Sequence, residues 1–188
     1  RWIATGCADP MAGTSSVLVG VSRTTDPTGQ WNLYRIDADP SDSVWADYPS
    51  IGFNKDWIVV QMNMFAGASY SRSNIYVFDK ADLYAAGSGL YTLLTDPAYF
   101  TQVPAQTFDA ALATVHLVTN DSGAAGRLRL FTITGTVGSE VLTAGPYVTA
   151  PDTWNDQGSY APQLGTSTLS ETNDSRMQTV VYRNGSLW

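Results

Sequence analysis

Aspartate, asparagine and aromatic residues are concentrated in the turn-rich segments of this sequence. Aromatic faces suit the apolar C–H face of a sugar ring, while carboxylates and amides suit its rim of hydroxyl groups. Turns also favour Asp and Asn for backbone reasons, so a purely structural interpretation stays open. The sequence predicts a ligand-binding surface, for glycan or protein, formed by Asp47, Tyr48, Asn63, Phe65, Asp96, Tyr99, Asn120, Asp121, Trp154, Asp156 and Tyr160.

Two of these carboxylates could support glycoside hydrolysis, which needs a pair of carboxyl groups roughly 5–10 Å apart across the scissile bond. Asp47 with Asp121 is one such pair from different loops. A sialidase-type reaction would also need an arginine cluster and a tyrosine nucleophile. The arginines do not recur at a regular interval, and no G-x-S-x-G motif is present. The sequence therefore favours a binding role and keeps a glycan-active hydrolase or lyase as the alternative.

Metal ligands are sparse in this sequence. The acid-rich loops Asp37–Asp42 and Asp152–Asp156 offer the hard oxygen ligands that calcium prefers, but neither has EF-hand spacing. Cys7 and His116 are each the only residue of their type, which disfavours zinc. We expect no cofactor, with calcium as the alternative, and we expect His116 to be a hydrogen-bonded packing residue.

The composition excludes some classes of partner. Seventeen acidic residues against ten basic ones give a net charge of −7, and no basic stripe is visible. This disfavours nucleic acid and anionic membrane surfaces. The sequence contains no run of about 18 apolar residues, so it predicts no membrane-spanning helix. Abundant Gly, Pro and Asp with little Lys or Glu is typical of strands joined by turns.

Short apolar and β-branched runs predict the strands. The clearest are Ser16–Ser22, Trp57–Met64, Leu112–Thr119, Leu128–Thr134 and Met177–Tyr182. Further strands are predicted at Trp31–Ile36, Asn74–Phe78, Tyr91–Thr95 and within Glu140–Thr149, with one helical turn near Lys80–Ala86 and a hairpin turn at Asn184-Gly185.

An internal repeat organises these strands. Pro49-Ser-Ile-Gly52 has a degenerate counterpart at Pro104–Thr107 and another at Pro162-Gln-Leu-Gly165, spaced 55 and 58 residues apart. A four-stranded unit of about this length is the signature of a propeller blade. We therefore predict an all-β, β-propeller-like fold of four-stranded antiparallel blades, with a β-sandwich as the alternative. Residues 1–188 would form one partial domain of roughly three blades, a fragment or processed form, with boundaries near 46, 101 and 158.

Several motifs resemble a group of largely uncharacterised secreted or surface bacterial proteins read as β-propellers. They are Asp26-Pro-Thr-Gly-Gln-Trp31, Asp47-Tyr-Pro-Ser-Ile-Gly52, Asn63-Met-Phe65, Asp174-Ser-Arg176 and Asn184-Gly-Ser-Leu-Trp188. Thr24–Trp31 is also weakly similar to the Asp-box of sialidase-type propellers, with one extra residue between Asp26 and Gly29. The resemblance implies the fold and an extracytoplasmic setting, secreted or at the cell surface, but no reaction.

Taken together, these features predict an extracellular module that binds glycan or protein or builds a surface assembly. Because propellers close with four to eight blades, roughly three blades imply self-association or a partner that completes the ring. The ligand surface would lie where loops lead into the first strand of each blade and join its second strand to its third.

Overall fold

The computed structural model describes residues 1–188 and shows an all-β protein. Its fifteen strands are β1 Ile3–Ala8, β2 Ser16–Ser22, β3 Trp31–Asp37, β4 Trp45–Phe53, β5 Trp57–Ala66, β6 Ser69–Asp79, β7 Tyr91–Asp96, β8 Val103–Gln106, β9 Val115–Ser122, β10 Arg127–Thr134, β11 Val141–Thr149, β12 Tyr160–Ala161, β13 Ser170–Glu171, β14 Val180–Arg183 and β15 Ser186–Leu187. One α-helix, α1, spans Lys80–Tyr84, and a 3-10 turn spans Gly123–Ala125. No helix has the length and hydropathy to cross a membrane.

The strands form antiparallel groups in chain order. β1, β2 and β3 make a three-stranded sheet, β4 to β7 make one four-stranded group, and β8 to β11 make another. The two four-stranded groups join through a parallel contact between Phe53 of β4 and Gln106 of β8. β14 also pairs with β8 in the parallel direction, with Val180 opposite Ala105. The three strands β4, β8 and β14 therefore run in the same direction, with β8 in contact with both of the others.

Three apolar cores separate these layers. The first lies between the three-stranded sheet and β4–β6, and the second lies between β5–β6 and β9–β10. The third lies between β8–β10 and the hairpin of β14 and β15. Each four-stranded group is consequently covered on both faces, which explains why β5 is buried along nearly its whole length.

β5 shows how the pleat divides side chains between two cores. Ile58, Val60 and Met62 pack in the first core, whereas Trp57 and Val59 pack in the second. Successive side chains of a strand point to opposite faces, so a strand buried on both sides is apolar on both, except where a buried polar side chain such as Asn63 has hydrogen-bond partners. The prediction of a strand at Trp57–Met64 is confirmed, with two further residues at its end.

The sequence places the strand Met177–Tyr182 after the repeat start at Pro162–Gly165. The structure shortens this strand to β14, Val180–Arg183, which pairs in parallel with β8, the strand that β4 also contacts. Pro162–Gly165, the predicted start of that repeat, lies in an exposed turn with Leu164 fully exposed. The predicted hairpin at Asn184-Gly185 is confirmed, since both residues have positive φ and join β14 to β15.

His116 lies on β9 beside the third core. Its ring stacks on that of Tyr182 with the centroids 4.9 Å apart and the planes within 7°. Burial lowers the pKa of this imidazole. The packing role expected for His116 is therefore present, but aromatic stacking takes the place of the expected hydrogen bond, because the imidazole makes none within the protein.

Candidate functional site

A polar cleft lies where the chain enters β8 and β14 and where β9 ends. Its volume is about 170 Å³. We call it the cleft, and it is bounded by Phe100, Thr101, Thr119, Asn120, Asp121, Asp156, Asp174, Ser175 and Arg176. The predicted residues Asn120, Asp121 and Asp156 therefore meet in one place, although they come from two separate segments.

The Asp47-Tyr48-Pro49 segment borders the cleft through a bulge in β4. Pairing with β5 shifts register between Asp47 and Ser50, and Tyr48 has a φ of 55°. A bulge re-aims a side chain out of the ladder, and a positive φ is uncommon for a bulky residue. The Arg176 guanidinium lies 4.6 Å from the centre of the Tyr48 ring, which ties this bulge to the opposite wall of the cleft.

Asp156 is the centre of the hydrogen-bond network. Its Oδ1 accepts from Asn120 Nδ2 at 2.8 Å, Ser175 Oγ at 3.0 Å and Trp154 Nε1 at 3.1 Å, while its Oδ2 accepts from the Gly123 N–H at 2.7 Å. The hydrogen bond from Asn120, with those from the other donors, lowers the pKa of Asp156. The Asp156 carboxylate therefore joins its own loop to the end of β9 and to the segment before β14.

Asp174 and Arg176 form the second polar pair of the cleft. Arg176 donates from Nε and Nη2 to the two carboxylate oxygens at 2.7 and 2.6 Å, a bidentate geometry. The hydrogen bond to Arg176 lowers the pKa of Asp174, and the hydrogen bond to Asp174 raises the pKa of Arg176. The two residues form a local ion pair that lies in the cleft wall.

An aromatic row leads from β4 to the cleft. Trp45 stacks on Phe65 with ring centres 5.0 Å apart, and Phe65 meets Phe100 edge to face at 6.2 Å. Tyr70 packs edge to face on Phe100 at 5.2 Å, and Arg176 lies 4.9 Å from the same ring. Phe65, one of the predicted ligand residues, is therefore a packing element behind the cleft wall.

Asn63 is fully buried and supports the cleft from beneath. Its Nδ2 donates to Thr101 Oγ1 at 2.8 Å, and its Oδ1 accepts from the Thr101 N–H at 2.9 Å. Gln61 Nε2 donates to the same Oδ1 at 3.0 Å. These partners use both donor and acceptor sides of the amide, so Asn63 positions the segment that enters β8.

Asp96 and Tyr99 shape that same segment. Asp96 accepts from the Ala98 N–H at 2.8 Å and from Gln102 Nε2 at 3.0 Å. The Tyr99 carbonyl accepts from Tyr70 and Ser73, while its hydroxyl lies 3.0 Å from that of Tyr147. Both residues lie next to the cleft rather than in its wall.

The other predicted residues occupy different environments. Asp121 lines the cleft and is paired with Arg127. Trp154 is half-buried and reaches the cleft through its bond to Asp156. Tyr160 lies on β12, 63% exposed, and is not among the residues that bound the cleft.

Sequence reasoning missed six residues of the cleft wall: Phe100, Thr101, Thr119, Asp174, Ser175 and Arg176. Ser175 and Arg176 lie shortly before β14, in the position that the segment around Thr101 holds before β8. Assigning β14 as the counterpart of β4 and β8 would have placed Asp174-Ser175-Arg176 among the predicted ligand loops.

The geometry of the cleft suits recognition of hydroxyl groups. Asn120 Oδ1 is a buried acceptor with no protein donor, and two of the arginine's three nitrogens are held by Asp174. Small-molecule pockets usually enclose roughly 300–1,000 Å³, so this smaller cleft fits the edge of a larger ligand. Glycoside hydrolysis would need a carboxyl with a raised pKa as its acid, and the pKa values of Asp156 and Asp174 are lowered.

The predicted calcium loops carry internal hydrogen bonds. No group of three or more His, Cys, Asp or Glu side chains has an arrangement that could hold a metal ion. In the first loop, Asp39 is buried and its carboxylate accepts bonds from Ser41, Ser43 and the Val44 N–H. In the second, the Asp156 carboxylate is occupied by the donors described above.

No family model, curated protein or solved structure matches this chain. The site is therefore interpreted from its own geometry.

Proposed function

We propose that this chain is an extracellular, non-enzymatic module that binds neutral glycans at the cleft. The observation that carries the proposal is the convergence of Asn120, Asp156 and Ser175 beside Arg176, with an aromatic row behind them. The Asn120 Oδ1 acceptor and the Arg176 nitrogen that Asp174 does not hold can accept from and donate to vicinal hydroxyl groups. Preorganisation by the Asp156 network supports this role, because binding then requires little ordering of side chains.

A neutral glycan is favoured over an anionic one. Three carboxylates, Asp121, Asp156 and Asp174, line the cleft against one guanidinium, that of Arg176. An added negative charge would face this acidic wall on a protein of net charge −7. Acceptor-rich walls instead suit the hydroxyl donors of an uncharged sugar.

The test is a titration of neutral and uronate-containing oligosaccharides followed by isothermal calorimetry and amide NMR shifts. Asn120→Ala removes the uncommitted acceptor and is expected to weaken binding about tenfold. Arg176→Met should weaken it similarly, while Arg183→Met on the exposed part of β14 serves as the matched control. Absence of binding by every neutral oligosaccharide, or equal binding by all three variants, contradicts the proposal.

A panel of fluorogenic glycosides distinguishes binding from catalysis. Release of the fluorescent product, if it is abolished by Asp47→Asn or Asp121→Asn, would favour the hydrolase or lyase alternative. Binding without turnover is the expected result.

We also propose that the antiparallel groups are blades of a β-propeller-type assembly. Support comes from the parallel contacts of β4 and β14 with β8, and from one apolar core between each successive pair of layers. The three-stranded sheet corresponds to a blade without its first strand. Leu33 on that sheet and Trp188 after β15 are each 79% exposed, at the two ends of the stack.

Such exposed ends favour association with further blades, supplied by a second copy or a partner chain. Sedimentation velocity tests this, with association expected to rise with concentration. Leu33→Ser should reduce association, whereas Thr143→Ser at an exposed position of β11 should not. A monomer at all concentrations would contradict self-association.

A further inference from the structure

A second cavity lies at the opposite ends of β4 and β8 from the cleft. Its volume is about 570 Å³, within the usual range for small-molecule sites. It is walled by the start of the chain, the last residues of β4 and β8, the beginning of α1 and the segment that follows β8. We call it the basic pocket. None of its residues takes part in the cleft, so it is independent of the proposed glycan site.

The charge of this pocket is unusual for the protein. Lys55 and Lys80, the only lysines in the sequence, both line it together with Arg1. One acid, Asp109, lines the same cavity. Lys55 also lies 3.4 Å from Asp56 in a pair that is more than a third exposed, which neutralises it only weakly. A cationic cavity on an acidic chain concentrates anions.

Lys80 is the cation best placed to hold an anion. Its Nζ donates one hydrogen bond, to the Asn54 carbonyl at 2.6 Å. An ammonium has three donors, so two remain for a ligand. The same nitrogen lies 5.7 Å from the Phe53 ring and 5.8 Å from the Tyr84 ring. Burial lowers the pKa of Lys80, so an anion that enters the pocket would offset the lost hydration of the ammonium.

Part of the pocket wall is aromatic. Phe108 meets Phe53 edge to face, with ring centres 5.2 Å apart at an angle of 74°. Phe108 is 89% exposed even though it makes this contact. Large exposed rings beside a cavity are typical of ligand-contact residues. A flat ring can pack against Phe53 and Phe108 while its substituent reaches Lys80.

We propose that the basic pocket binds a small aromatic carboxylate, with the carboxylate at Lys80 and the ring against Phe53 and Phe108. Three cations against the one acid that lines the pocket, Asp109, leave a net positive charge that a carboxylate complements. The aromatic part of the ligand uses the apolar wall, which a simple inorganic anion would leave exposed.

The experiment is a calorimetric and NMR titration with benzoate and phenylacetate, compared with the uncharged benzamide. Benzoate is expected to bind and to shift the amide signals of Asn54, Lys80 and Phe108. Lys80→Met should weaken binding at least tenfold, because it removes a charge-assisted hydrogen bond while keeping the apolar stem. Arg176→Met, which alters only the cleft, should leave benzoate binding unchanged.

Phe108→Ala is the second variant, chosen because its exposed ring contributes little to the fold. It should weaken benzoate binding several-fold and leave the unfolding midpoint unchanged. Equal binding of benzamide and benzoate, or wild-type affinity in both pocket variants, would overturn the proposal. The proposal is also overturned if millimolar benzoate shifts no amide signal of the pocket residues. None of these three outcomes bears on glycan binding at the cleft.

Discussion

Asn63 and Thr101 are joined by two hydrogen bonds across 38 residues of sequence, side chain to side chain at 2.8 Å and backbone to side chain at 2.9 Å. Thr101 has a φ of 51°, so the Asn63 amide holds the chain in a conformation that threonine rarely adopts. This pair fixes how the chain turns into β8, and therefore where Phe100 and Thr101 stand in the cleft.

Asn63→Ala should destabilise the protein by about 2–4 kcal/mol, because it leaves two buried polar groups of Thr101 without partners. Urea denaturation measures this change. Asn155→Ala, at an exposed position in the loop that carries Asp156, is the matched control and should change stability far less. A small effect at Asn63 would mean that the segment before β8 is held by other contacts.

Gly52 allows β4 and β8 to approach each other. A β-carbon at this position would lie 2.6 Å from the Pro104 and Ala105 carbonyl oxygens. Gly52→Ala should therefore push the two strands apart and cost about 1–3 kcal/mol, the usual range for overpacking. Gly6→Ala on β1, where a β-carbon meets nothing within 4 Å, is the control. Equal unfolding midpoints for the two variants in urea would show that the strand contact tolerates expansion.

Much of the strand content could be predicted because apolar runs such as Trp57–Met64 are determined by burial, which the residue types report directly. The convergence of Asp47-Tyr48, Asn120 and Asp156 on one face could also be anticipated, because connections of the same kind in repeated antiparallel units open on the same side. Local sequence carries both of these signals.

The remainder depends on contacts distant in sequence. Val180–Arg183 is a short apolar strand, and nothing in its residues specifies β8 as its partner or a parallel direction. Because the pairing of β14 with β8 was not predicted, the position of Arg176 in the cleft wall was not predicted either. Similarly, a buried amide such as Asn63 and a cleft-lining amide such as Asn120 have the same local pattern. The two amides differ only in the groups that surround them, and those groups are determined by the fold.

Asp39 should make stability depend on pH in the acid range. Burial would raise the pKa of this carboxyl, but hydrogen bonds from Ser43, Ser41 and the Val44 N–H lower it to about 2. A lowered folded-state pKa stabilises the protein above the unfolded value of about 3.9, and that contribution is lost as the pH falls toward 2. The wild-type protein should therefore lose about 2 kcal/mol of Asp39-dependent stability between pH 4 and pH 2.

Asp39→Asn tests this dependence, with Asp42→Asn as a neighbouring exposed control. Denaturant midpoints measured from pH 7 to pH 2 should show Asp39→Asn destabilised at neutral pH and nearly level with the wild type at pH 2. A difference between wild type and Asp39→Asn that stays constant across this range would show that the carboxylate charge is not what the loop recognises.

Gly123 allows the Trp154–Asp156 segment to close over the end of β9. A β-carbon on Gly123 would lie 2.5 Å from Asp156 Oδ1 and 2.6 Å from Trp154 Cδ1. The backbone of Gly123 also donates to Asp156 and accepts from the Trp154 N–H at 3.0 Å. Gly123→Ala should thus displace Asp156 from Asn120 and Ser175 while leaving the apolar cores intact.

The expected result for Gly123→Ala is a loss of glycan affinity of tenfold or more with only a modest fall in the urea midpoint. Gly158→Ala, where the nearest atom to a β-carbon is 3.7 Å away, should bind as the wild type does. Of the two variants, only Gly123→Ala alters the surroundings of one of the six tryptophans, Trp154, so only that variant should change the tryptophan fluorescence measured without ligand. If the fluorescence changes but affinity does not, the Asp156 network positions the loop without serving the ligand, and the glycan site must lie elsewhere on the protein.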